Sequence, residues 1–319
     1  MIVSASRRCD IPAYAMDWFM NRVEAGYCLV RNPFDARSLR RVSLLLEDLD
    51  CVVFWTRDPR PLIPRASELE ERGIPFYVQM TITGYPKSIE PGSPAREDAM
   101  AAAASLSERI GRRRLIWRYD PIFVAAASGE GLDSRFHREN FEHIARALEG
   151  KTRRVIVSLL DEYRGTRKRL EAAGLRGIVF GSASGGGKGG ASEEEGQGLL
   201  FGGARSSLPP QPYPELLADL ARIARGHGLA IQACAEPYEL SGLGIEAAPC
   251  VDQRLVEEIS GRKAEGLAAR DKGQRGACRC APSVDIGAYG ACRAACAYCY
   301  ARAQWKGAPK AIDPTAEAL

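Results

Sequence analysis

Three cysteines near the end of the chain have the most specific chemistry of any residues in this sequence. They lie in the run Cys292-Arg-Ala-Ala-Cys296-Ala-Tyr-Cys299. Thiolates spaced C-x3-C-x2-C on one tight loop can each bind a different iron of a single [4Fe–4S] cubane cluster, which leaves the fourth iron without a protein ligand. A small molecule with an amine and a carboxylate, such as S-adenosylmethionine, can chelate that open iron and accept an electron from the cluster.

Closely spaced cysteines have two other common roles. Structural zinc sites usually have two or four residues between ligands and a closed tetrahedral shell, which three-then-two spacing fits poorly. Disulfides are not retained by a cytosolic chain. The motif resembles that of the radical S-adenosylmethionine enzymes, in which an aromatic residue commonly precedes the third cysteine, as Tyr298 does here. The spacing therefore favours an iron–sulfur site over zinc.

Seven further cysteines fall into two groups. Cys28 and Cys51 each open an apolar run, where a free cysteine packs as a small hydrophobe, and Cys9 at a strand end is ambiguous. We expect the other four to converge near the first site and to form the complete shell of a second cubane, although a tetrahedral zinc ion would use the same shell. These four are Cys234, Cys250, Cys278 and Cys280.

Strand-like and helix-like segments alternate along the chain. Clear apolar runs occur at Ile2 to Ala5, Cys51 to Trp55, Phe76 to Thr83, Leu115 to Pro121, Val155 to Leu160 and Leu229 to Cys234, with less certain runs at 28–30 and 177–180. Helical patterns separate them, including one through Leu39, Val42 and Leu46. This alternation predicts parallel strands joined by crossover helices, and the continuous apolar runs suit strands that are buried on both faces.

The fold class predicted from this alternation is α/β, as a full or partial (β/α) barrel of the TIM type with a C-terminal iron–sulfur cluster-binding segment. A barrel is favoured because polar residues collect just past nearly every strand, where barrel enzymes place their chemistry. A doubly wound open sheet is the alternative, but no glycine-rich fingerprint follows the first strand. We assign residues 1–245 to the barrel and 246–319 to the cysteine-rich segment.

Residues near 181–207 interrupt the alternation, because they are largely Gly, Ser and Glu with few apolar side chains. Such a composition predicts a disordered insertion. The glycine run before Lys188 does not match a phosphate-binding loop, since Ser182 stands at the first glycine position and Gly189 follows the lysine.

Polar residues at the predicted strand ends are the candidates for substrate and cofactor contacts. Predicted catalytic residues are Arg118, Asp120 and Glu236. Predicted cofactor contacts are Thr56, Gln79, Thr81, Ser158 and Arg7, with Arg8, Asp10 and Trp55 as further lining residues. A purely structural interpretation stays open, because Arg118 with Asp120, or Arg7 with Asp10, can simply pair across strand ends.

Length and charge set weak limits on partners. The net charge of +4 is small for 319 residues and the basic residues are spread, so nothing demands a nucleic-acid partner and nothing excludes one. The N-terminus turns polar at once, and no run approaches the ~20 apolar residues of a membrane helix. We therefore expect a cytoplasmic protein without a membrane partner.

Five segments spread over nearly the whole chain extend the resemblance beyond the cysteine motif. They are Ser-Arg-Arg-x-Asp-Ile-Pro-Ala-Tyr from Ser6, Val-Arg-Asn-Pro-Phe from Val30, Val-Phe-Trp-Thr-Arg-Asp-Pro from Val53, Trp-Arg-Tyr-Asp-Pro-Ile from Trp117, and Asp-Ile-Gly-x-Tyr-x-x-Cys from Asp285. Together they resemble the bacterial family called domain of unknown function 1848. That resemblance implies a C-terminal cysteine cluster similar to the one that radical S-adenosylmethionine enzymes carry near their N-terminus, and hence a permuted barrel.

Two functions from different classes follow. The first is an oxidoreductase in which Cys292, Cys296 and Cys299 hold a cluster that reduces S-adenosylmethionine to a 5′-deoxyadenosyl radical, with an electron donor such as flavodoxin or ferredoxin and an unknown substrate. The second is a binding protein whose cysteines hold structural zinc or iron–sulfur, for example beside a nucleic acid. Its weakness is that Trp55 and Trp117 lie inside strand patterns instead of among exposed basic residues.

Overall fold

The computed structural model describes residues 1–32, 35, 37–127, 131–181, 208–263, 276–304 and 311–319. Apart from Gly181, the predicted insertion near 181–207 lies outside the described residues.

Twelve strands and eight α-helices make up the described part of the chain. The strands are β1 (Ile2–Ala5), β2 (Tyr27–Arg31), β3 (Leu39–Ser43), β4 (Cys51–Thr56), β5 (Phe76–Thr81), β6 (Leu115–Ile122), β7 (Val124–Ala127), β8 (Arg154–Leu159), β9 (Leu175–Val179), β10 (Ala230–Ala233), β11 (Glu246–Ala247) and β12 (Val284–Asp285). The helices are α1 (Ile11–Tyr14), α2 (Met16–Ala25), α3 (Ala66–Glu71), α4 (Arg96–Ile110), α5 (Ser134–Ala147), α6 (Thr166–Ala172), α7 (Tyr213–Gly226) and α8 (Gln253–Ser260). Short 3-10 helices cover Ile63–Arg65, Ser241–Leu243 and Tyr300–Gln304.

Eight of the strands form one sheet in the order β11-β10-β8-β6-β5-β4-β1-β12. Every neighbouring pair in it is parallel. From β1 to β11 each strand lies beside the next sheet strand along the chain, and β12 then joins the other side of β1. The prediction of an α/β fold with a parallel sheet is confirmed. Closure into a barrel stays a prediction, because β11 and β12 are the two edges of this sheet.

One local prediction was wrong. The helix predicted through Leu39 to Leu46 is instead β3, which pairs antiparallel with β2 in a hairpin outside the main sheet. Its apolar residues at 39 and 42 imitate a helical period, but only Val42 is buried and Leu39 is exposed. The expected strands at 28–30 and 177–180 do form, yet they pair only in two-stranded sheets, as β2 with β3 and as β9 with β7.

The main sheet is covered on both faces. Val52 and Phe54 of β4 pack into a hydrophobic core that includes residues of the helices. Cys51 and Val53 pack into a second buried cluster on the opposite face of the sheet. Side chains alternate between the two faces of a strand, so both must be buried for a run this apolar to be stable. The segment after β11 lies over the second face, where Val256 of α8 joins the same cluster.

N-terminal and C-terminal segments of the chain are in contact. β12 pairs with β1, and Asp285 accepts hydrogen bonds from the hydroxyls of Ser4 (2.9 Å) and Ser6 (2.7 Å). Residues 313–319 pack on α2, where the indole of fully buried Trp18 donates to the carbonyl of Ala316 at 2.8 Å. In the part of the chain that the structure describes, no helix has the length and apolarity needed to cross a membrane.

Candidate functional site

A cavity of about 600 Å³ opens at the carboxyl ends of the parallel strands. Thr56 and Thr81, the last residues of β4 and β5, reach the cavity, as does Ser158 one residue before the end of β8. Arg118 and Asp120 enter it from β6. All seven cysteines predicted as metal ligands line it. The carboxyl ends of strands are where α/β folds of this kind place their ligand sites, so the cavity is the candidate functional site.

One wall of the cavity carries a tight group of three cysteines, called here the cysteine triad: Cys234, Cys250 and Cys280. Their sulfur atoms all lie within 4.8 Å of one another, and all three side chains are buried. Cys234 follows β10 directly, Cys250 follows β11, and Cys280 precedes β12, so three separate segments converge. The triad can hold a metal ion. Among the described residues it is the one group of three or more His, Cys, Asp or Glu side chains placed so closely.

Hydrogen bonds favour the thiolate form of Cys280 and of its neighbour Cys278. The sulfur of Cys280 accepts from the backbone amides of Cys250 (3.2 Å) and Val251 (3.3 Å), and the sulfur of Cys278 accepts from the amide of Cys280 (3.4 Å). Contact with the Cys280 thiol lowers the pKa of Cys278 to about 6, and contacts with Cys234 and then Cys250 lower the pKa of Cys280 to about 7. Metal ions bind thiolates rather than thiols, so Cys278 and Cys280 are prepared for a metal. A hydrogen bond with Cys250 raises the pKa of Cys234, and burial raises the pKa of Cys250, so these two thiols must lose protons when a metal binds.

Arg118 links the triad to the rest of the cavity. Its guanidinium donates to the sulfur of Cys250 at 2.8 Å and pairs with Asp120, which also accepts from the hydroxyl of Ser158. The same guanidinium lies over the ring of Trp55 at 5.1 Å, and Arg7 lies over that ring at 5.3 Å. The Arg118–Asp120 pair that the structural interpretation anticipated is therefore present. It faces the cavity and contacts a cysteine of the triad.

The loop 292–299, called here the cluster loop, forms another wall. Cys292, Cys296 and Cys299 all line the cavity, and Cys296 is buried while the other two are partly exposed. Unlike the triad, their sulfur atoms do not all lie within 4.8 Å of one another. Burial raises the pKa of Cys292 to about 11 and that of Cys296 to about 12, so a metal binding here must displace protons.

Backbone contacts fix the position of the cluster loop. The amide of Ala297 donates to the carbonyl of Ile89 at 2.8 Å, and the amide of Gly92 donates to the carbonyl of Ala294 at 3.0 Å. Arg169 of α6 donates to the carbonyls of Ala297 (2.8 Å) and Cys299 (3.0 Å). The loop is therefore held on the segment that follows β5 and by α6.

Tyr298, the aromatic residue before the third cysteine, belongs to a buried polar network. Its hydroxyl accepts from Arg57 and donates to Glu90. Arg57 also forms an ion pair with Glu90 at 3.0 Å, and the hydroxyl of Thr83 donates to the same carboxylate at 2.6 Å. Glu90 is only 3% exposed, and these partners supply the hydrogen bonds that a buried carboxylate needs. The network ties the cluster loop to the ends of β4 and β5.

The two cysteine sites share a feature of backbone conformation. Among the described residues, Ala235 (φ 57°) and Ala295 (φ 55°) are the non-glycine residues with positive φ. Ala235 directly follows Cys234, and Ala295 directly precedes Cys296. Non-glycine residues adopt this conformation at a cost of about 1–3 kcal/mol, and such residues cluster at functional sites. Both turns aim a cysteine at the cavity.

The structure separates the predicted site residues into two sets. Lining the cavity are Arg7, Arg8, Asp10, Trp55, Thr56, Thr81, Arg118, Asp120 and Ser158. Gln79 and Glu236 do not line it: the amide of Gln79 donates to the carbonyl of Cys250 at 2.6 Å, and the carboxylate of Glu236 accepts from the amide of Leu159 at 2.9 Å. Both hold backbone at the site.

Several cavity residues were not anticipated. They are Ser6, Cys9, Arg57, Pro121, Leu159, Leu160, Asp161, Tyr163, Ala235, Asp285, Tyr289, Ala294, Tyr298 and Tyr300. Arg57 and Asp285 belong to segments that carry the family resemblance, so that signal could have found them. Cys28 and Cys51 are core residues, as predicted. Cys9 is buried and lines the cavity, and burial raises the pKa of its thiol.

Comparison with known proteins identifies a family. A search of curated proteins finds no match. The family model described as Domain of unknown function (DUF1848) matches residues 2–301. That span includes every strand of the main sheet, the triad and the cluster loop. The chain therefore belongs to the DUF1848 family.

Proposed function

We propose that this chain is a radical S-adenosylmethionine-type enzyme in which Cys292, Cys296 and Cys299 hold a [4Fe–4S] cluster. The observation that carries the proposal is that these three cysteines line the same cavity as Arg118 and Asp120, at the carboxyl ends of the strands. When bound, such a cluster reduces S-adenosylmethionine and so generates a 5′-deoxyadenosyl radical, which abstracts hydrogen from a substrate.

The residues present fit a cubane with one open iron. The ligands would be three thiolates on one loop. Their sulfur atoms are farther apart than those of the triad, which suits thiolates that bind separate irons. Two of the three, Cys292 and Cys299, are partly exposed at the cavity wall. These three cysteines would therefore hold a cluster at the wall of the cavity.

The cavity has the size and lining for a nucleoside cofactor and part of a substrate. Its volume of about 600 Å³ falls within the ~300–1,000 Å³ of typical small-molecule sites. We assign Thr56, Thr81 and Ser158 to hydrogen bonds with the cofactor and Arg7 to its carboxylate, because guanidinium groups bind carboxylates in a bidentate manner. Arg118 and Asp120 are placed to orient the substrate.

The remaining parts of the proposed function follow from this assignment. Cluster reduction requires a one-electron donor, for which a flavodoxin or ferredoxin is suited. The substrate class is left to experiment, because the cavity lining includes both arginine and aspartate side chains.

The decisive experiment compares the parent with a Cys292→Ala/Cys296→Ala/Cys299→Ala variant. After anaerobic reconstitution, dithionite and S-adenosylmethionine are added, and 5′-deoxyadenosine and methionine are measured. The parent should form both and the variant neither, while far-UV circular dichroism stays unchanged because the cysteines lie outside the strands. Cys28→Ala is the matched control, since Cys28 is a buried core cysteine that does not line the cavity, and it should keep the activity.

Formation of 5′-deoxyadenosine by the triple variant would refute the assignment. A parent that binds zinc alone and forms no product would instead support a metal-stabilised binding protein. For that alternative as a nucleic-acid module, aromatic side chains should be free to stack on bases. Trp117 is 1% exposed in the core, and the ring of Trp55 already contacts the guanidinium groups of Arg7 and Arg118.

A further inference from the structure

The two groups of cysteines at the cavity differ in geometry. In the triad the three sulfur atoms all lie within 4.8 Å of one another, whereas in the cluster loop they do not. The triad is drawn from three separate segments, and the cluster loop is one continuous stretch. Two sites with the same ligand type but different spacing are suited to different metal centres.

The spacing in the triad suits a single ion. Four thiolates that share one tetrahedral ion at about 2.3 Å place their sulfur atoms about 3.8 Å apart. Thiolates of a cubane bind different irons and must stand wider apart, because the cluster itself lies between them. The three sulfur atoms of the triad, already within 4.8 Å of one another, need only small movements to bind one ion. They would have to move apart to bind a cubane.

We propose that Cys234, Cys250 and Cys280, with Cys278 as fourth ligand, hold one tetrahedral zinc ion that joins the two edges of the main sheet. This replaces the second cubane expected from the sequence. Soft thiolate ligands in a tetrahedral shell are the preferred environment of zinc. Cys278 is a further buried cysteine at this wall, and its sulfur accepts a hydrogen bond from the amide of Cys280. Its sulfur is not within 4.8 Å of all three triad sulfur atoms, so Cys278 must move inwards to become the fourth ligand.

The positions of the ligands define the role of the ion. Cys234 and Cys250 follow β10 and β11 at one edge of the sheet, and Cys280 precedes β12 at the other. The segment after β11 and the segment before β12 are already in contact, since the amide of Ala281 donates to the carbonyl of Val251 at 3.0 Å. A zinc ion shared by Cys250 and Cys280 would close the sheet by coordination where strand pairing between β11 and β12 is not seen among the described residues.

A cation lies beside the site and offsets part of its charge, although it also pairs with Asp120. A divalent ion with four thiolates has a net charge of −2, which is costly in a buried place without a cation nearby. The buried guanidinium of Arg118 lies 2.8 Å from the sulfur of Cys250. The carbonyl of Cys250 is held by the hydroxyl of Tyr77 (2.8 Å) and the amide of Gln79 (2.6 Å). Hydrogen bonds of this kind around a metal site help to orient its ligands.

Metal analysis of the full chain, purified anaerobically and reconstituted with iron, tests this inference independently of the radical chemistry. We expect about one zinc and about four irons per chain. A Cys234→Ser/Cys250→Ser variant should lose the zinc and keep the irons, and the Cys292/Cys296/Cys299 triple alanine variant should do the reverse. Cys51→Ala is the matched control, because Cys51 is buried in the same apolar cluster but lies outside the triad, and it should keep both metals.

Loss of about four irons from the Cys234→Ser/Cys250→Ser variant would show a second cubane and overturn the inference, and so would a parent without zinc. If that variant does not fold, cobalt exchange into the parent decides the same point. A cobalt ion in four thiolates gives intense charge-transfer bands and tetrahedral d–d bands, and their absence would refute a single-ion site. Hydrogen exchange should then show that removing the ion exposes the amides of β11 and β12 more than those of β5, because only the edge strands depend on it.

Discussion

Replacing Gly92 by Ala should displace the cluster loop without unfolding the protein. A Cβ built on Gly92 would lie 2.5 Å from the carbonyl oxygen of Arg293 and 2.8 Å from the Cα of Ala294, and both are backbone atoms of the loop. Backbone cannot turn away as a side chain can, so the two segments must separate by about 1 Å to reach ordinary contact distance.

This displacement would be large for the proposed metal site. Metal-binding groups must be held within about 0.5 Å of their working geometry. Overpacking of this kind costs about 1–3 kcal/mol, which corresponds to a roughly 5- to 150-fold loss of cluster affinity if the strain is relieved when the loop leaves its place. The amide of Gly92 also donates to Ala294 at 3.0 Å, so the variant loses a contact that fixes the loop.

The assay measures iron retained against a chelator after reconstitution, followed by absorbance near ~400 nm. Gly226→Ala is the matched control: Gly226 lies in the last turn of α7, and a Cβ there meets nothing within 4 Å. It should leave iron binding unchanged and stabilise the protein by about 0.5–1 kcal/mol. Parent-level iron retention in Gly92→Ala would refute the inference that the loop must stay docked on this segment.

Three further predictions concern separate parts of the chain. Tyr298→Phe removes a hydroxyl that joins Arg57 to Glu90, so it should lower the free energy of unfolding by about 1–3 kcal/mol and weaken iron retention, measured by urea unfolding and chelator competition. Burial lowers the pKa of His137 to about 4. The neutral ring therefore makes its full contribution to the free energy of unfolding above pH 6.5, and this contribution is lost as the pH falls through 4. Between pH 7 and pH 4 the parent should therefore lose about 3 kcal/mol more unfolding free energy than His137→Gln, and equal losses would contradict this. Removing residues 313–319 uncovers the indole of Trp18 and should cost about 2–4 kcal/mol, visible as a lower urea midpoint and a red-shifted tryptophan emission.

Long apolar runs were sufficient to predict most of the main sheet. Cys51 to Trp55 is continuously apolar, and β4 is buried on both faces as that pattern requires. The edge strands could not be found in this way, because β11 and β12 have two residues each and two residues have no period. Leu39 and Val42 gave the opposite error, since an exposed strand of a hairpin happened to carry helical spacing.

The candidate site was predictable in composition and less so in geometry. Position after a strand correctly placed Arg118 and Ser158 at the cavity, but the same rule could not show that the carboxylate of Glu236 turns to the amide of Leu159. The sequence separation between Cys234 and Cys280 contains no information on distance, which depends on how the sheet brings its edges together. Only the structure separates a tight group of cysteines from a wider one.

The pairing of β1 with β12 has a consequence for biosynthesis. The hydrogen bond from Ser4 to Asp285 joins residues 281 positions apart. At translation rates of about 5–20 residues per second, β1 waits roughly 15–60 s before its second neighbour is made. During that time one side of β1 is an open edge, and such edges invite pairing with other chains. The cluster loop follows β12, so under the proposed function a chain released before β12 lacks Cys292, Cys296 and Cys299 and cannot hold the cluster.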